Sequence, residues 1–463
     1  MKNKNLWILT EERPKRQVIA TILRKFAEDN KFACFIDTIR ILPTLQNGKF
    51  SFLYEVVGFR CNKIKRVFIK SISGFSSFVD FLVFYQEKQP SEKDIPFYAI
   101  EETKTDDKES RNTGVYQRSS KFVYVDFYYP KTKKIMFYNL KIKQKEQPTS
   151  TYIFGTRLLL TLGVEILGKR LDKEIFKPFS SINEIIELKK KMHKAPKGNV
   201  QISIKRQNNR LIVSGRLFKA DGLSHDPNIG ALSSICAVMR KLGWKKEIVI
   251  TKHGLRQKNI KAGNKFIKIA SKLNIKINHL KVSRAKIERN YWKYEIEGEK
   301  LGTIFIHLVV ENFTEGYSIF ENHAGCEKGY FITKEGKPIP LEKYSNRKAY
   351  KKGNKKKIIS IPDLILIDFG RSEIINIEGK KYKFRKDGIK ELKAFGDIEK
   401  RYIKKYYPRF KITRTVVLYG GKADRVVEIK VGFLLNENGD LILGIKAPEL
   451  FKEAIKNLLD FWS

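Results

Sequence analysis

The stretch Ile361-Pro362-Asp363-Leu364-Ile365-Leu366-Ile367-Asp368-Phe369-Gly370-Arg371-Ser372-Glu373-Ile374-Ile375-Asn376-Ile377-Glu378-Gly379-Lys380 sets two short β-branched apolar runs on either side of a polar turn. That pattern reads as strand, turn, strand. Pairing of the two strands brings Asp363 near Glu378 and Lys380. Because side chains alternate along a strand, Glu378 and Lys380 share one face while Gly379 points away. Two carboxylates converging on one point repel each other unless a cation lies between them, and a hard divalent ion with oxygen ligands suits that position. Such an ion polarises a phosphodiester and lowers the pKa of an attacking water, while the adjacent ammonium orients that water or offsets developing charge. The chemistry pointed to is phosphodiester hydrolysis; the plain alternative is two ordinary strands carrying solvated charges.

The same constellation recurs upstream. Phe78-Val79-Asp80-Phe81-Leu82-Val83-Phe84-Tyr85 is an apolar run holding one acid, and Phe97-Tyr98-Ala99-Ile100-Glu101-Glu102-Thr103-Lys104 is a second run closing on Glu-x-Lys. Asp80, Glu102 and Lys104 then form the site, with Glu101 replacing Glu102 if the strand register slips by one. Residues 113–122 read as a helix with Gln117 and Lys121 four apart on one face, and residues 122–127 as the strand that follows. In the polar run 105–112, Arg111 and Asn112 are candidates for phosphate contacts.

These residues resemble the PD-(D/E)XK nuclease superfamily, whose pattern is an Asp, often after Pro, then a variable gap and Glu-x-Lys on the next strand. Here it stands as Pro362-Asp363 with Glu378-Gly379-Lys380, and as Asp80, without the Pro, with Glu102-Thr103-Lys104. The resemblance covers roughly residues 50–130 and 355–420. It implies an α/β (α+β) fold, with mixed β-sheets flanked by helices, made of two restriction-endonuclease-like cores and a central recognition region. It also implies Mg²⁺ held by Asp80 with Glu102 and by Asp363 with Glu378, and Lys104 and Lys380 positioning water and stabilising charge. Gln117 or Lys121 on the following helix would face the metal, as often in the superfamily. The activity implied is that of a type II restriction endonuclease on double-stranded DNA, each centre cutting one strand of an asymmetric sequence. A chain with both centres active works as a monomer; one with a single active centre works as a homodimer on DNA. A nucleic-acid-binding protein without catalysis, its acids salt-bridged to abundant lysines, is the reading from another class.

Composition agrees with a polyanionic partner. Of 463 residues, 93 are Lys or Arg against 50 Asp or Glu, a net charge of +43 spread along the whole chain, which suits DNA through counterion release. Lysine-rich usage from biased base composition would raise Lys without raising net charge this far. At 42% hydrophobic and 12% aromatic residues the chain is globular, and its length suits two or three domains. Anionic membrane is the competing polyanion, but no apolar stretch approaches the roughly 18 residues of a spanning helix. Without a signal-peptide apolar core at Met1-Lys2-Asn3-Lys4-Asn5-Leu6-Trp7, a prokaryotic cytoplasm is expected. Cys34, Cys61, Cys236 and Cys326 lie far apart with no Cys-x-x-Cys spacing, which suits a reducing compartment without structural zinc. His323-Ala324-Gly325-Cys326 offers two metal ligands with no second pair nearby.

The expected domains are residues 1–197, an N-terminal nuclease domain; 198–345, a central DNA-recognition region contributing to the C-terminal core; and 346–463, that core. Residues 16–30 and 181–193 carry apolar stripes of helices. Residues 194–199 are a turn or linker, and strands follow at 200–204, 211–215 and 247–250. Asp226-Pro227 starts a helix that ends at Gly243. The basic helix 258–273 turns Lys261 and Lys265 outward, toward solvent or toward DNA. The basic loop 346–357, with Arg347, Lys351, Lys352 and Lys355, runs directly into the Pro362-Asp363 strand and would clamp a phosphate backbone. A helix over 388–405 interrupted at Gly396, a strand at 415–419 and a terminal helix over 447–462 complete the chain.

Overall fold

The computed structural model describes residues 3–74, 78–103, 114–138, 149–192, 202–217, 226–257, 265–282, 288–323, 330–333, 335, 338–341 and 359–463. They form several mixed β-sheets flanked by helices. Two compact units result: Met1–Leu6, Thr10–Ile72 and Tyr294–Ser463 make the first, Trp7–Leu9 and Ser73–Lys293 the second. These units cut across the three consecutive segments expected from the sequence. No helix is long and apolar enough to cross a membrane among the described residues.

After strand β1 (Lys4–Thr10), helix α1 (Arg16–Asn30) buries Val18, Ile19, Ile22, Leu23 and Phe26 at helical spacing. Long strands β2 (Cys34–Gln46) and β3 (Lys49–Cys61) pair antiparallel, and β3 pairs antiparallel with β4 (Ile64–Gly74). The β2–β3 register sets Cys34 opposite Cys61, and the two are joined as a disulfide, although their spacing in sequence suits a reducing compartment. This segment belongs with the C-terminal third of the chain because its edges are tied there. Trp462 Nε1 donates to Pro43 O at 3.1 Å, Asn312 Nδ2 to Ile41 O at 3.1 Å, and the Phe50 ring meets Phe305 edge-on.

In the second unit, β5 (Phe81–Gln86) and β6 (Tyr98–Thr103) are antiparallel. Helix α2 (Gly114–Tyr128) crosses to β7 (Lys133–Tyr138), parallel to β6, and α3 (Ser150–Thr161) crosses to β8 (Val164–Leu167), parallel to β7. The strand expected over 122–127 is thus the second half of α2. Its Val and aromatic residues suggest a strand, but Val115, Tyr116, Ser119, Phe122, Val123 and Val125 are all buried, which is the pattern of a helix packed on most sides. After α4 (Ile182–Lys191), capped by the Ser181 hydroxyl, comes a second sheet. Strands β9 (Ile202–Gln207) and β10 (Arg210–Gly215) form a hairpin, and α5 (Asp226–Lys241) and α6 (Lys265–Lys272) lead to the parallel strands β11 (Glu247–Thr251) and β12 (Ile275–Ile277). Helices α2 and α5 approach closely enough for Ser234 Oγ to donate to Ser119 Oγ at 2.6 Å.

Strand β13 (Trp292–Tyr294) precedes α7 (Lys300–Phe313) and β14 (Tyr317–Glu321). A short hairpin, β15 (Tyr330–Ile332) with β16 (Pro338–Pro340), leads on. Strand β17 (Leu364–Asp368) pairs antiparallel with β14 and β18 (Glu373–Lys381) antiparallel with β17, and a helical run over 382–406 then crosses to β19 (Lys411–Tyr419), parallel to β18. Strands β20 (Val431–Leu435) and β21 (Leu441–Leu443) complete six strands, and helix Glu449–Trp462 closes the chain. The run Leu364-Ile365-Leu366-Ile367 is apolar throughout because both faces of β17 are covered. Leu364 and Leu366 pack with Phe305 and Val309 of α7, while Ile365 and Ile367 pack with Leu392, Phe395 and Ile398 of the helical run.

Candidate active site

Asp363 occupies the bend immediately before β17, and the register of Leu364 against Ile377 carries Asp363 across to Glu378. Its Oδ2 accepts the Gly379 amide at 3.0 Å. Lys380 Nζ donates to Glu378 Oε1 at 2.8 Å and also reaches Glu391 Oε2 at 3.1 Å and Glu299 Oε2 at 3.2 Å. Gly379 faces the other way, as alternation requires, and lies so close to the start of α7 that a Cβ there would fall 2.5 Å from the Glu299 carbonyl oxygen. The absence of that side chain allows α7 to bring Glu299 to Lys380. Beside them a cleft of about 580 Å³ is lined by Glu299, Lys380, Asp387, Lys390 and Glu391. Sequence reasoning missed Glu299 and Glu391, since neither falls in a motif and only the packing of two helices on β18 brings them in.

Burial pushes the Asp363 carboxyl up to about 6, against the opposing pull of the Gly379 amide and Lys380. Burial and then the charge of Asp363 push Glu378 up to about 9. Burial alone would lower Lys380, but the bonds and charges of Glu378, Glu391 and Glu299 outweigh it and raise the ammonium above its ordinary value. Among the described residues Lys380 thus faces four acidic side chains, Asp363, Glu378, Glu299 and Glu391, and protons remain on Asp363 and Glu378 where exposed acids are fully ionised.

The second unit repeats the arrangement in the same register. Asp80 occupies the bend immediately before β5, and Phe81 against Ile100 carries Asp80 across to Glu101. Asp80 Oδ2 accepts the Glu102 amide at 2.7 Å, as Asp363 does with Gly379. Glu101 therefore takes the position of Glu378, the one-residue shift that the sequence left open. Glu102, buried as well, contributes its backbone amide to Asp80, and Thr103 takes the position of Lys380. The ammonium comes from α2: Lys121 Nζ donates to both Glu101 oxygens at 2.7 Å and lies 3.8 Å from Asp80 Oδ1. Arg118 Nε is 3.6 Å from Glu101 Oε1. Burial and then Asp80 push Glu101 up to about 8, with Lys121 and Arg118 opposing. For Lys121, burial is outweighed by Glu101 and Asp80, so its ammonium is raised.

Lys104, Arg111, Asn112, Lys261, Arg347, Lys351, Lys352 and Lys355 lie outside the described residues. Gln117 is on α2 at a position whose side chain is likewise outside them, and Lys265 opens α6, where its carbonyl accepts the Tyr124 hydroxyl. Comparison of the chain with protein-family models, with curated proteins and with solved structures finds no match.

Proposed function

We propose that the chain is a Mg²⁺-dependent endodeoxyribonuclease of the PD-(D/E)XK kind, built from two restriction-endonuclease-like cores, and that each core hydrolyses one strand of double-stranded DNA. The observation that carries this reading is the repeated register: in each unit an Asp before one strand faces a Glu on its antiparallel partner, bonds to the amide after that Glu, and has a lysine ammonium on the Glu. A helix and a parallel strand follow in both. Coincidental acids on two unrelated strands have no reason to share the bend, the amide and the lysine.

The donor sets suit a hard divalent cation, since each is made of carboxylate oxygens and burial has left Glu101, Asp363 and Glu378 reluctant to ionise without one. Asp363 with Glu378, and Asp80 with Glu101, would hold Mg²⁺, which when bound polarises the scissile phosphate and acidifies a water. Lys380 and Lys121 are held by their glutamates as fixed donors, oriented to hold the attacking water and to stabilise negative charge at the phosphorus. The net charge of +43 supplies sequence-independent affinity for the backbone.

Supercoiled plasmid incubated with Mg²⁺ tests the proposal. Wild type should give linear fragments, and Lys121→Ala and Lys380→Ala should each slow one strand's cleavage by about 10²–10³-fold, leaving circles nicked on opposite strands. If one variant is inactive and the other matches wild type, a single centre cuts as a homodimer. Mg²⁺-independent binding with no cleavage of several diverse DNAs would sink the nuclease reading in favour of a binding protein.

A further inference from the structure

We infer that His307, Glu321 and His323 form a metal site of a different kind, one that takes a zinc-like transition-metal ion and ties α7 to the end of β14. It stands independently of the nuclease reading. His307 is on α7, Glu321 ends β14, and His323 follows two residues later; both histidines are buried. His323 is the residue whose neighbour Cys326 suggested a ligand pair in the sequence, but Cys326 is outside the described residues and its partners here are His307 and Glu321.

Three distances carry the inference. His307 Nδ1 is 2.9 Å from His323 Nε2, and Glu321 Oε2 is 3.7 Å from the first and 4.0 Å from the second. Points so spaced lie on a circle of radius about 2.1 Å, which is the length of Zn–N and Zn–O bonds. An ion at its centre is at bonding distance from all three donor atoms, in their plane, and a displacement of about 0.5 Å out of that plane keeps the distances at about 2.1–2.2 Å and opens a fourth position for water. Two imidazoles with one carboxylate select zinc-like ions over Mg²⁺, which prefers an all-oxygen shell.

The outer shell is arranged as a metal site requires. Thr303 Oγ1 lies 3.1 Å from the Lys300 carbonyl and 2.9 Å from His323 Nδ1. With its hydrogen on that carbonyl the hydroxyl accepts from Nδ1–H of His323, the tautomer that a metal ligand at Nε2 requires. Glu321 is held from outside by Arg13 Nε, 2.8 Å from Oε2, and by Lys15 Nζ, 3.3 Å from Oε1. Arg13 is in turn anchored to Glu311 at 2.6 Å. The site also adjoins the β17 end of the sheet, since the Asn322 amide donates to the Asp363 carbonyl at 2.7 Å.

Co²⁺ titration of the full chain, followed by visible ligand-field absorption and by displacement with Zn²⁺, tests the site. One equivalent of Co²⁺ should give bands that Zn²⁺ abolishes, and the purified protein should carry zinc by elemental analysis. The bands should be lost in His307→Ala and in His323→Ala, and retained in Asp363→Asn. Thr303→Ala leaves all three donors in place and should weaken binding by about 10–100-fold, which keeps the test open if a histidine variant does not fold. Absence of bands and of zinc in the wild type overturns the proposal. Bands that survive in His307→Ala and vanish in Asp363→Asn overturn it too, because they assign the ion to the carboxylate site.

Discussion

Gly379→Ala is the most informative single change, because it adds one carbon at a point where the structure leaves no room. The Cβ would lie 2.5 Å from the Glu299 carbonyl oxygen and 2.7 Å from Thr303 Cγ2, and residue 379 is not among the glycines with positive φ, so crowding is the whole cost. Restoring ordinary contact requires the first turn of α7 to retreat by about 1 Å. Overpacking of this kind costs about 1–3 kcal/mol, which in a unit of this size lowers Tm by about 2–4 °C per kcal/mol. The retreat also draws Glu299 away from Lys380, now at 3.2 Å, and a misplacement near 1 Å costs on the order of 10²-fold in rate. Thermal melting and Mg²⁺-dependent nicking, read together, measure both effects. Thr303→Ser removes Cγ2 and keeps the hydroxyl, so in the Gly379→Ala background it should recover part of the stability, the carbonyl contact remaining. A Gly379→Ala protein that melts with wild type and nicks at its rate would refute the reasoning, since α7 would then have no need of the missing side chain.

Two further outcomes follow from the charges. Asp363 and Glu378 bind protons more tightly folded than unfolded, so their stabilising contribution is fully present below the ordinary carboxylate range. It is lost as pH rises through about 6 and then about 9. Melting temperature in EDTA should decline across that window, Mg²⁺ should stabilise more at its upper end than at its lower, and Glu378→Gln should flatten the decline; a Mg²⁺ effect independent of pH counts against the carboxylate pair. Among the described residues, Lys121→Met leaves buried Glu101 with Arg118 as its cation, and breaking such a pair costs about 3–5 kcal/mol. Pairing it with Glu101→Gln should recover most of that loss in a denaturant melt, whereas additive losses would mean that Lys121 acts elsewhere.

Much of the C-terminal site was legible in the sequence, because there the motif is carried by one hairpin. The apolar runs 361–368 and 374–380 became β17 and β18, and Asp363, Glu378 and Lys380 came together as period-2 alternation requires. Helix 16–30 was legible for a similar reason, its stripe being a local property. What the sequence hid depends on tertiary neighbours. Residues 122–127 have strand composition, but burial on several sides makes them helix. Cys34 and Cys61 are far apart until β2 and β3 pair. Helix α7 is apolar nearly all round, so it has no stripe to reveal it, and with it went Glu299 and His307.

The two sites also explain why Glu-x-Lys is a good guide in one half and a poor one in the other. Strand register and an amide bond fix where Asp and Glu meet, and both are local to a pair of strands. Nothing local fixes the lysine, which needs only to reach the Glu with its ammonium. In the C-terminal site β18 supplies it, two residues along on the same face; in the other, Thr103 takes that position and α2 supplies Lys121 from the adjacent layer. The exchange alters the electrostatics as well. Among the described residues, Asp80 and Glu101 face Lys121 and Arg118, two acids against two cations, whereas Lys380 faces Asp363, Glu378, Glu299 and Glu391. A lysine delivered by a helix brought its neighbour Arg118 with it, one turn earlier on the same face, and so balances the described acids of its site, where the strand-borne lysine leaves those of the other in excess. Beside the lysine of the acidic site lies an open cleft, and Mg²⁺ bound there as proposed should stabilise that site more than the other.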